Sequence, residues 1–293
     1  MPEKYGEVTR KPEWLKIRLH EGHGYAEVAK IVRENSLHTI CSSGKCPNQA
    51  ECWSRRTATF MISGDICTRS CKFCATKTGN PLPLDPNEPV KVARSVNIMG
   101  LRYCVLTSVD RDDLPDKGAE HWADVVNAIR KKNPDTQIEV LIPDFDAEES
   151  LLDIVMSSLP DVIGHNIETV KSLTPLVRSR ADYETSLRVL KYISKLGFTA
   201  KSGLMVGLGE TDGEIYSTLD HLAAAGCSIL TIGQYLQPTK NHLPVTRYVT
   251  PEQFDIYKQE ALKRGFSHVE SSPMVRSSYR ADRAAVNNKI RIR

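Results

Sequence analysis

The chain lacks any apolar run long enough to cross a bilayer, and its charges nearly balance. Its 39 lysines and arginines are matched by 36 aspartates and glutamates, so the net charge is only +3. A membrane helix needs about 20 consecutive apolar residues, and a nucleic-acid-binding domain usually carries a much larger positive excess. We therefore expect neither membrane nor nucleic acid as a partner. The N-terminal residues also lack the apolar centre of a signal peptide and the acid-poor character of a transit peptide, so we expect a cytoplasmic protein.

The sequence also lacks the G-x-G-x-x-G fingerprint that would follow the first strand of a dinucleotide-binding sheet. From residue 58, six short β-branched runs alternate with helical patterns, in units of about 30 to 40 residues, the size of a βαβ repeat. Six such units fit either an open doubly wound sheet or a barrel. Polar residues gather past several strand ends, where barrel enzymes carry their chemistry. We therefore predict an α/β fold, a partial (β/α)6 barrel.

The same patterns predict three segments in one integrated structural unit. Residues 1–57 form an N-terminal extension with one amphipathic helix, GYAEVAKIVREN, and a cysteine-rich loop. Residues 58–240 form the barrel. Residues 241–293 form a C-terminal extension with one more helix, a short strand and a basic tail, whose end we expect to be solvated.

Cysteines are few outside one region: six of the eight fall within 34 positions. They form two triplets: Cys41, Cys46, Cys52 and Cys67, Cys71, Cys74. Structural zinc usually has four ligands in two C-x2-C pairs, and disulfides are rare in the cytosol. An iron–sulfur cluster suits thiolates, and three thiolates leave one iron of a four-iron cluster open. The two remaining cysteines, Cys104 and Cys227, lie in apolar segments and are predicted to be small buried side chains.

The second triplet, in CTRSCKFC, resembles the C-x3-C-x2-C loop of the radical S-adenosylmethionine (SAM) enzymes. It follows the first predicted strand, and the aromatic Phe73 precedes its last cysteine, as is common in that family. In those enzymes the three cysteines hold a [4Fe–4S] cluster whose open iron binds SAM. Electron transfer then cleaves SAM to methionine and a 5′-deoxyadenosyl radical. The resemblance implies that Cys67, Cys71 and Cys74 are metal ligands with a catalytic role.

The first triplet and the RSSY sequence at Arg276–Tyr279 extend the resemblance to the lipoyl synthase family. Further matches, such as KPEWLK, LTSVDRDDL, KSGLMVGLGE and GQYLQP, are spread along nearly the whole chain. The resemblance implies a second, auxiliary [4Fe–4S] cluster with four ligands: Cys41, Cys46, Cys52 and Ser278. Without it, Ser278 would be read as a turn or helix-capping residue. Serine oxygen is a harder ligand than thiolate, which favours release of its iron from a cluster that is dismantled in the reaction.

The implied reaction replaces hydrogens at C6 and C8 of an octanoyl-lysine by sulfur taken from the auxiliary cluster. The implied partners are octanoylated lipoyl carrier domains (dehydrogenase E2 subunits or the glycine cleavage H protein), an electron donor such as ferredoxin or flavodoxin, and a carrier protein that rebuilds the cluster. The sequence departs from the family pattern at Lys117, where a glycine is common, and at Gly164. Neither position touches a cysteine motif.

Candidate SAM contacts follow from the strand ends of related enzymes. They are three pairs: Thr107 and Ser108, Asn166 and Glu168, and Ser186 or Arg188. The resemblance assigns the first pair to the methionine amino group, the second to the ribose hydroxyls and the third to the carboxylate. The alternative is a set of ordinary helix caps and helix-face residues. Asp110, Arg111 and Asp113 either bind substrate, close the site or form a solvated loop.

Two other functions remain open at this point. A different radical SAM sulfur-insertion enzyme, similar to biotin synthase, would share the barrel and the CTRSCKFC loop but lack the first triplet and RSSY. A non-enzymatic iron–sulfur or zinc protein would bind metal without cleaving SAM, and its metal content would distinguish it.

Overall fold

The computed structural model describes residues 11–16, 24–55 and 57–283, and its contacts divide the chain into two compact units. We call Arg18–Ser70 with Ala75–Ile163 the N-terminal unit. We call Met1–Ile17, Cys71–Cys74 and Gly164–Arg293 the C-terminal unit. Among the described residues, no helix is both long enough and apolar enough to cross a membrane.

The N-terminal unit is built on a sheet whose longer strands run parallel and alternate with helices. Its elements are α1 (Gly24–Glu34), β1 (His38–Thr39), α2 (Ile40–Ser43), α3 (Gln49–Ser54), β2 (Thr59–Ile62), β3 (Ile66–Cys67), β4 (Lys77–Thr78), α4 (Glu88–Met99), β5 (Tyr103–Ser108), α5 (Ala119–Lys132), β6 (Gln137–Leu141), α6 (Glu149–Ser157) and β7 (Val162–Gly164). β5 pairs in parallel with β2 on one side and β6 on the other. The strands bury nearly every side chain, so polar residues at their ends mark the possible site.

The C-terminal unit repeats the same arrangement. Its elements are α7 (Thr174–Val177), α8 (Tyr183–Lys195), β8 (Ala200–Val206), α9 (Asp212–Ala224), β9 (Ile229–Gln234), α10 (Pro251–Lys263) and β10 (His268–Ser271). β9 pairs in parallel with β8 and with β10. Apolar side chains of these strands and of α8 to α10, such as Leu204, Ile232 and Phe254, form its core. Gly197 and Gly226 have φ values of +83° and +79° just past α8 and α9, the left-handed conformation in which many helices end.

The alternation of strand and helix agrees with the sequence prediction, with local differences. The run DVIGHNIE is one of the six from which strands are predicted, and only its residues Val162–Gly164 form β7. At the end of the run, Glu168 adopts a φ of +66°, which lies outside strand geometry. The two-residue strands β1, β3 and β4 were not predicted, since two residues show no periodicity. Cys104 and Cys227 are buried, as predicted. The end of the basic tail lies outside the described residues.

Candidate active site

The predicted cluster loop leaves β3 at Cys67, and its first residues are held within the N-terminal unit. The buried Cys67 Sγ accepts hydrogen bonds from the backbone N–H groups of Arg69 (3.4 Å) and Asp110 (3.3 Å). The thiol also lies 3.4 Å from Asp110 Oδ2, to which it donates. Burial, followed by the negative charge of Asp110, raises the pKa of the Cys67 thiol to about 12. The thiol therefore keeps its proton at neutral pH until a metal displaces it.

Arg69, absent from the predicted site residues, fastens this part of the loop to two strand ends. Its guanidinium donates two hydrogen bonds to Asp112 (2.9 and 2.8 Å), which follows β5. It donates two more to Asp144 (2.8 and 2.9 Å), which follows β6. The sequence signal that could have identified this network is the arginine inside the cysteine motif. A guanidinium that becomes buried with the motif needs several hydrogen-bond acceptors.

The acidic stretch after β5 is thus an ordered part of the structure. Besides Asp110 and Asp112, it contains Arg111, whose buried side chain donates to Asp113 twice, at 2.8 Å each, and to the Ser63 carbonyl at 3.3 Å. The hydrogen bond from Arg111 lowers the pKa of the Asp113 carboxyl. This arrangement favours a positioning role over a solvated loop for Asp110 and Arg111.

The second half of the cluster loop, Cys71–Cys74, belongs to the C-terminal unit. The backbone of Lys72 donates to the Val177 carbonyl (2.9 Å) and accepts from the Leu243 N–H (3.2 Å). His242 Nε2 lies 2.9 Å from the Cys74 carbonyl. Because a carbonyl only accepts, Nε2 carries the proton, and the Nδ1 atom of His242 accepts from Thr239 at 2.8 Å. No sequence signal pointed to His242, which lies 168 residues from Cys74 along the chain.

Side chains of this half-loop make two further contacts. Cys71 Sγ lies 3.7 Å from the Ser179 hydroxyl. Phe73 packs against a cluster formed by Val177, Leu208, Tyr235 and Val245. The aromatic residue of the motif therefore anchors the loop in apolar surroundings.

The first cysteine triplet lies on two short helices of the N-terminal unit. Cys41 is in α2 and Cys52 in α3, and the Cys46 N–H donates to the Cys41 carbonyl at 3.0 Å. Burial and, to a smaller extent, the neighbouring Cys41 and Cys46 raise the pKa of the Cys52 thiol to about 12. The three cysteines therefore lie on one short segment of the N-terminal unit.

Ser278 lies in a turn of the C-terminal unit, closed by a 2.9 Å hydrogen bond from the Tyr279 N–H to the Arg276 carbonyl. The preceding residues run along β9, since the Ser272 N–H donates to Ile232 (3.2 Å) and the Gln234 N–H to Pro273 (3.3 Å). Serine is common in turns, so this position agrees with the alternative interpretation of Ser278 as a turn residue. Ligation of a metal by Ser278 stays a prediction.

The predicted residues of β5 lie where expected. Thr107 is buried, with its hydroxyl 3.4 Å from the Leu141 carbonyl, and Ser108 is half-buried at the carboxyl end of the strand, in register with Ile62 of β2. The carboxyl ends of β2 and β5, which precede the CTRSCKFC loop and the acidic stretch, are therefore adjacent.

In the C-terminal unit, Asn166 and Glu168 lie beside β8. The backbone of Glu168 donates to Gly203 (3.0 Å) and accepts from Met205 (2.9 Å). The Asn166 side chain rests over Gly203, where a Cβ atom would come within 2.7 Å of Asn166 Oδ1. These contacts place both residues at the edge of β8, on a half-buried segment.

Ser186 and Arg188 lie on different faces of α8. The buried Ser186 hydroxyl is 3.0 Å from His165 Nε2 and accepts from Arg178 at 2.8 Å. Arg188 is exposed and donates to its neighbour Thr185. Two residues along a helix are separated by about 200°, so only Ser186 faces the interior of this unit.

Arg178 was not predicted, and it links two of the predicted residues. It donates to the Ser186 hydroxyl and, at 3.4 Å, to the Asn166 carbonyl. In the described part of the chain, Arg178 Nε is buried and has no hydrogen-bond partner. An unpartnered buried N–H of an arginine fits the carboxylate of a ligand such as SAM.

The thiols fit iron–sulfur ligation by their chemistry. None of the eight cysteines is in a disulfide. Within residues 11–16, 24–55 and 57–283, no group of three His, Cys, Asp or Glu side chains is arranged to hold a single metal ion.

Comparison with known families agrees with the cysteine loop and the strand–helix repeats. The sequence model of the radical SAM superfamily matches residues 61–222, more than half of the chain. Methylornithine synthase superposes with a TM-score of 0.55 at 11% identity, covering 88% of this chain and 85% of that chain. The FeFe-hydrogenase maturase HydG from Carboxydothermus hydrogenoformans superposes with a TM-score of 0.55 at 13% identity, covering 90% and 78%. The chain belongs to the radical SAM superfamily, and these structures confirm the predicted α/β fold class.

Closer relatives narrow the assignment. A lipoyl synthase from Bacteroides fragilis (strain YCH46) is 59% identical over 96% of this chain and 98% of its own length. Lipoyl synthases from Porphyromonas gingivalis (strain ATCC 33277) and Treponema denticola are 56% and 55% identical, each over 94% of this chain and 98% and 94% of their own lengths. Within the superfamily, the chain belongs to the lipoyl synthase family. It is an enzyme that uses SAM and two [4Fe–4S] clusters and acts on lipoyl carrier domains.

Proposed function

We propose that the enzyme inserts two sulfur atoms, at C6 and C8, into an octanoyl group held in amide linkage to a lysine of a lipoyl carrier domain. The observation that carries this proposal is the presence of two separate cysteine triplets and RSSY in a chain of this family. The reacting C–H bonds are not acidic, so no side-chain base can remove these hydrogens. The chemistry must come from the cofactors.

We assign the first cluster to Cys67, Cys71 and Cys74, and SAM to the iron that they leave open. Together this cluster and SAM supply the carbon radical that removes hydrogen from the substrate. The chain contributes position: hydrogen bonds from Arg69 and Asp110 fix Cys67, and the contacts of Lys72 and His242 fix the backbone of Cys71–Cys74. These contacts hold each part of the loop in place within its own unit before a cluster binds.

We assign SAM contacts to the polar residues near β5 and β8. Thr107 and Ser108 are assigned to the methionine end of SAM, and Asn166 and Glu168 to its ribose hydroxyls. Of the two carboxylate candidates, Ser186 is supported by its burial and by its hydrogen bond from Arg178, whose unpartnered Nε adds a second donor. The exposure of Arg188 does not support it.

We assign the auxiliary cluster to Cys41, Cys46, Cys52 and Ser278. The place of the three cysteines on one short segment of the N-terminal unit supports a shared site, and the sequence resemblance adds the serine. Loss of the iron held by a serine oxygen is easier than loss from a thiolate, which suits a cluster that gives up sulfur. An electron donor such as ferredoxin or flavodoxin, a carrier that rebuilds the cluster, and a cytoplasmic location complete the proposal.

The test is incubation of the anaerobically reconstituted enzyme with an octanoylated lipoyl domain, SAM and a reductant. Mass spectrometry of the carrier should show two added sulfurs, present as two thiols in the reducing mixture. An unmodified carrier, with SAM cleaved, would refute sulfur insertion. A biotin-synthase-like activity, which no finding here favours, would leave this carrier unmodified.

Three variants separate the two clusters. Cys71→Ala should abolish formation of 5′-deoxyadenosine, because the first cluster is lost. Cys46→Ala should keep SAM cleavage but yield no lipoyl product. Ser278→Ala should slow or abolish sulfur insertion while SAM cleavage continues. Full sulfur insertion by Cys46→Ala or Ser278→Ala would remove that residue from the auxiliary ligands, and 5′-deoxyadenosine from Cys71→Ala would contradict the first assignment.

A further inference from the structure

Arg69 lies among several carboxylates in a largely buried place. Its side chain is 4% exposed and pairs with Asp112 and with Asp144, which is 1% exposed. A third carboxylate, Asp110, lies 3.4 Å from Arg69 Nε, and a fourth, Asp146, lies 3.9 Å from Arg69 Nη2. Burying charged groups is costly even when they are paired, so this network is not explained by stability alone.

The same group of residues touches the first cluster ligand directly. Asp110 Oδ2 lies 3.4 Å from Cys67 Sγ, and backbone N–H groups of Asp110 and Arg69 donate to that sulfur. The Thr68 hydroxyl lies 3.0 Å from the Asp110 carbonyl and 2.9 Å from Asp112 Oδ2. Every residue from Cys67 to Arg69 is therefore tied to the chain after β5.

An arginine pair elsewhere in the chain shows the contrast. Arg264 also binds two carboxylates, Asp220 at 2.7 Å and Glu260 at 2.7 Å, but Asp220 is 61% exposed and no cysteine is involved. A surface pair of that kind adds little stability. The Arg69 network differs in its burial and in its contact with a proposed cluster ligand.

Charge close to a ligand sulfur affects the cluster that the ligand holds. The reduction potential of an iron–sulfur cluster depends on net charge, hydrogen bonds to its sulfurs and solvent exposure. A positive guanidinium raises the potential and neighbouring carboxylates lower it, because reduction adds an electron. The network around Cys67 contains both kinds of charge: the positive guanidinium of Arg69 and the carboxyl groups next to it.

We propose that Arg69 is a positioning residue of the first cluster: through Asp112 and Asp144 it fixes Cys67 for ligation, and its charge raises the reduction potential of that cluster against the surrounding carboxylates. This inference rests on the assignment of the first cluster to Cys67, Cys71 and Cys74. It gives Arg69, which lies between Cys67 and Cys71 in the sequence, a role that SAM binding does not require.

The experiment compares Arg69→Gln, Arg69→Lys and Asp112→Asn, with Arg264→Gln as the matched control. The first readout uses the cluster-free enzyme, in which the alkylation rate of Cys67 is followed by mass spectrometry. Arg69→Gln and Arg69→Lys should both raise that rate several-fold, because neither side chain reproduces the two double hydrogen bonds. Arg264→Gln should leave it unchanged.

The second readout is the midpoint potential of the first cluster, from redox titration followed by electron paramagnetic resonance in a Cys46→Ala background that removes the auxiliary signal. Arg69→Gln should lower the potential, Asp112→Asn should raise it, and Arg69→Lys should stay near the parent value. SAM cleavage by Arg69→Gln should slow by up to about 100-fold, as expected when reacting groups are misplaced. If Arg69 had a purely structural role, the midpoint potentials of all three variants would shift in the same direction.

An unchanged rate of Cys67 alkylation in both Arg69 variants would overturn the positioning role. Midpoint potentials that shift in the same direction in Arg69→Gln and Asp112→Asn would overturn the role of charge. If Arg69→Gln fails to fold, Arg69→Lys and Asp112→Asn still give both readouts. Failure of the cluster assignment itself would appear differently: the Cys46→Ala parent would show no reducible cluster and no SAM cleavage.

Discussion

Gly203 of β8 is the position at which the strand passes directly under a proposed SAM contact. A Cβ atom there would lie 2.7 Å from Asn166 Oδ1 and 3.0 Å from Thr231 Oγ1, closer than side chains tolerate. The glycine therefore leaves room for the Asn166 amide to lie flat on the strand. The residue is needed for the shape of the site and carries no chemistry itself.

We expect Gly203→Ala to displace the Asn166 side chain and weaken SAM binding about tenfold, roughly the worth of one hydrogen bond to the ribose. The KM for SAM should rise while the electron paramagnetic resonance signal of the first cluster stays unchanged. Gly213→Ala is the control, because nothing lies within 4 Å of its Cβ position. Unaltered SAM affinity in Gly203→Ala would count against Asn166 as a SAM contact.

At the residue scale, candidate site residues in spaced motifs were easier to identify from the sequence than isolated polar or charged residues. The cysteines are recognisable in the sequence, since each is part of a spaced motif. Arg178 and His242 are not, because their roles come from contacts made only after folding. Lys117 replaces a common glycine and adopts a φ of +51°, so backbone geometry explains the preference for glycine there.

At the scale of elements, β9 positions the RSSY turn. Residues after β10 continue along β9, and Gly233 lets the Val275 carbonyl come so close that a Cβ atom would lie 2.2 Å from it. The clash would be with backbone, which cannot rotate away as a side chain can. Any side chain at Gly233 must therefore shift the segment that leads to Ser278.

We expect Gly233→Ala to impair the auxiliary cluster and spare the first one. Iron in the reconstituted protein should fall from about eight atoms per chain toward about four. SAM cleavage should persist while sulfur insertion is lost, as in Cys46→Ala. Iron analysis and mass spectrometry of the carrier measure both effects, again with Gly213→Ala as control. Retention of full iron and full sulfur insertion would show that the RSSY turn does not need this close approach.

Elements with strong periodicity were predictable, and those set by local backbone conformation were not. Helices such as α5 and α10 are predictable from the sequence because their apolar spacing and end signals agree. The turn after β6 contains three consecutive residues with positive φ, Phe145 to Ala147. None is glycine, so composition gave no indication of that turn, which follows directly after Asp144 of the Arg69 network.

At the scale of the whole chain, the response to acid depends on carboxylates whose pKa folding lowers. Asp212, the first residue of α9, accepts from the Tyr257 hydroxyl of α10 at 2.6 Å and from Arg247 at 2.9 Å. The hydrogen bond from Tyr257, and then that from Arg247, lowers the pKa of Asp212 although burial opposes the shift. A carboxyl with a lowered pKa stabilises the folded state above its unfolded pKa, and this stabilisation is lost as the pH falls through the folded pKa.

Asp212→Asn should therefore destabilise the chain at pH 7 and matter less in acid. Because the carboxylate is 40% exposed, we expect a loss of about 1 kcal/mol in the free energy of unfolding at neutral pH. The difference from wild type should shrink below about pH 4, where the unfolded carboxyl takes up its proton and the folded one follows at lower pH. Urea unfolding of both cluster-free proteins between pH 7 and pH 3 measures it. Asp220→Asn, at a more exposed ion pair, should cost less at pH 7. A difference that stays constant with pH would mean that the charge of Asp212 is not what joins α9, α10 and Arg247.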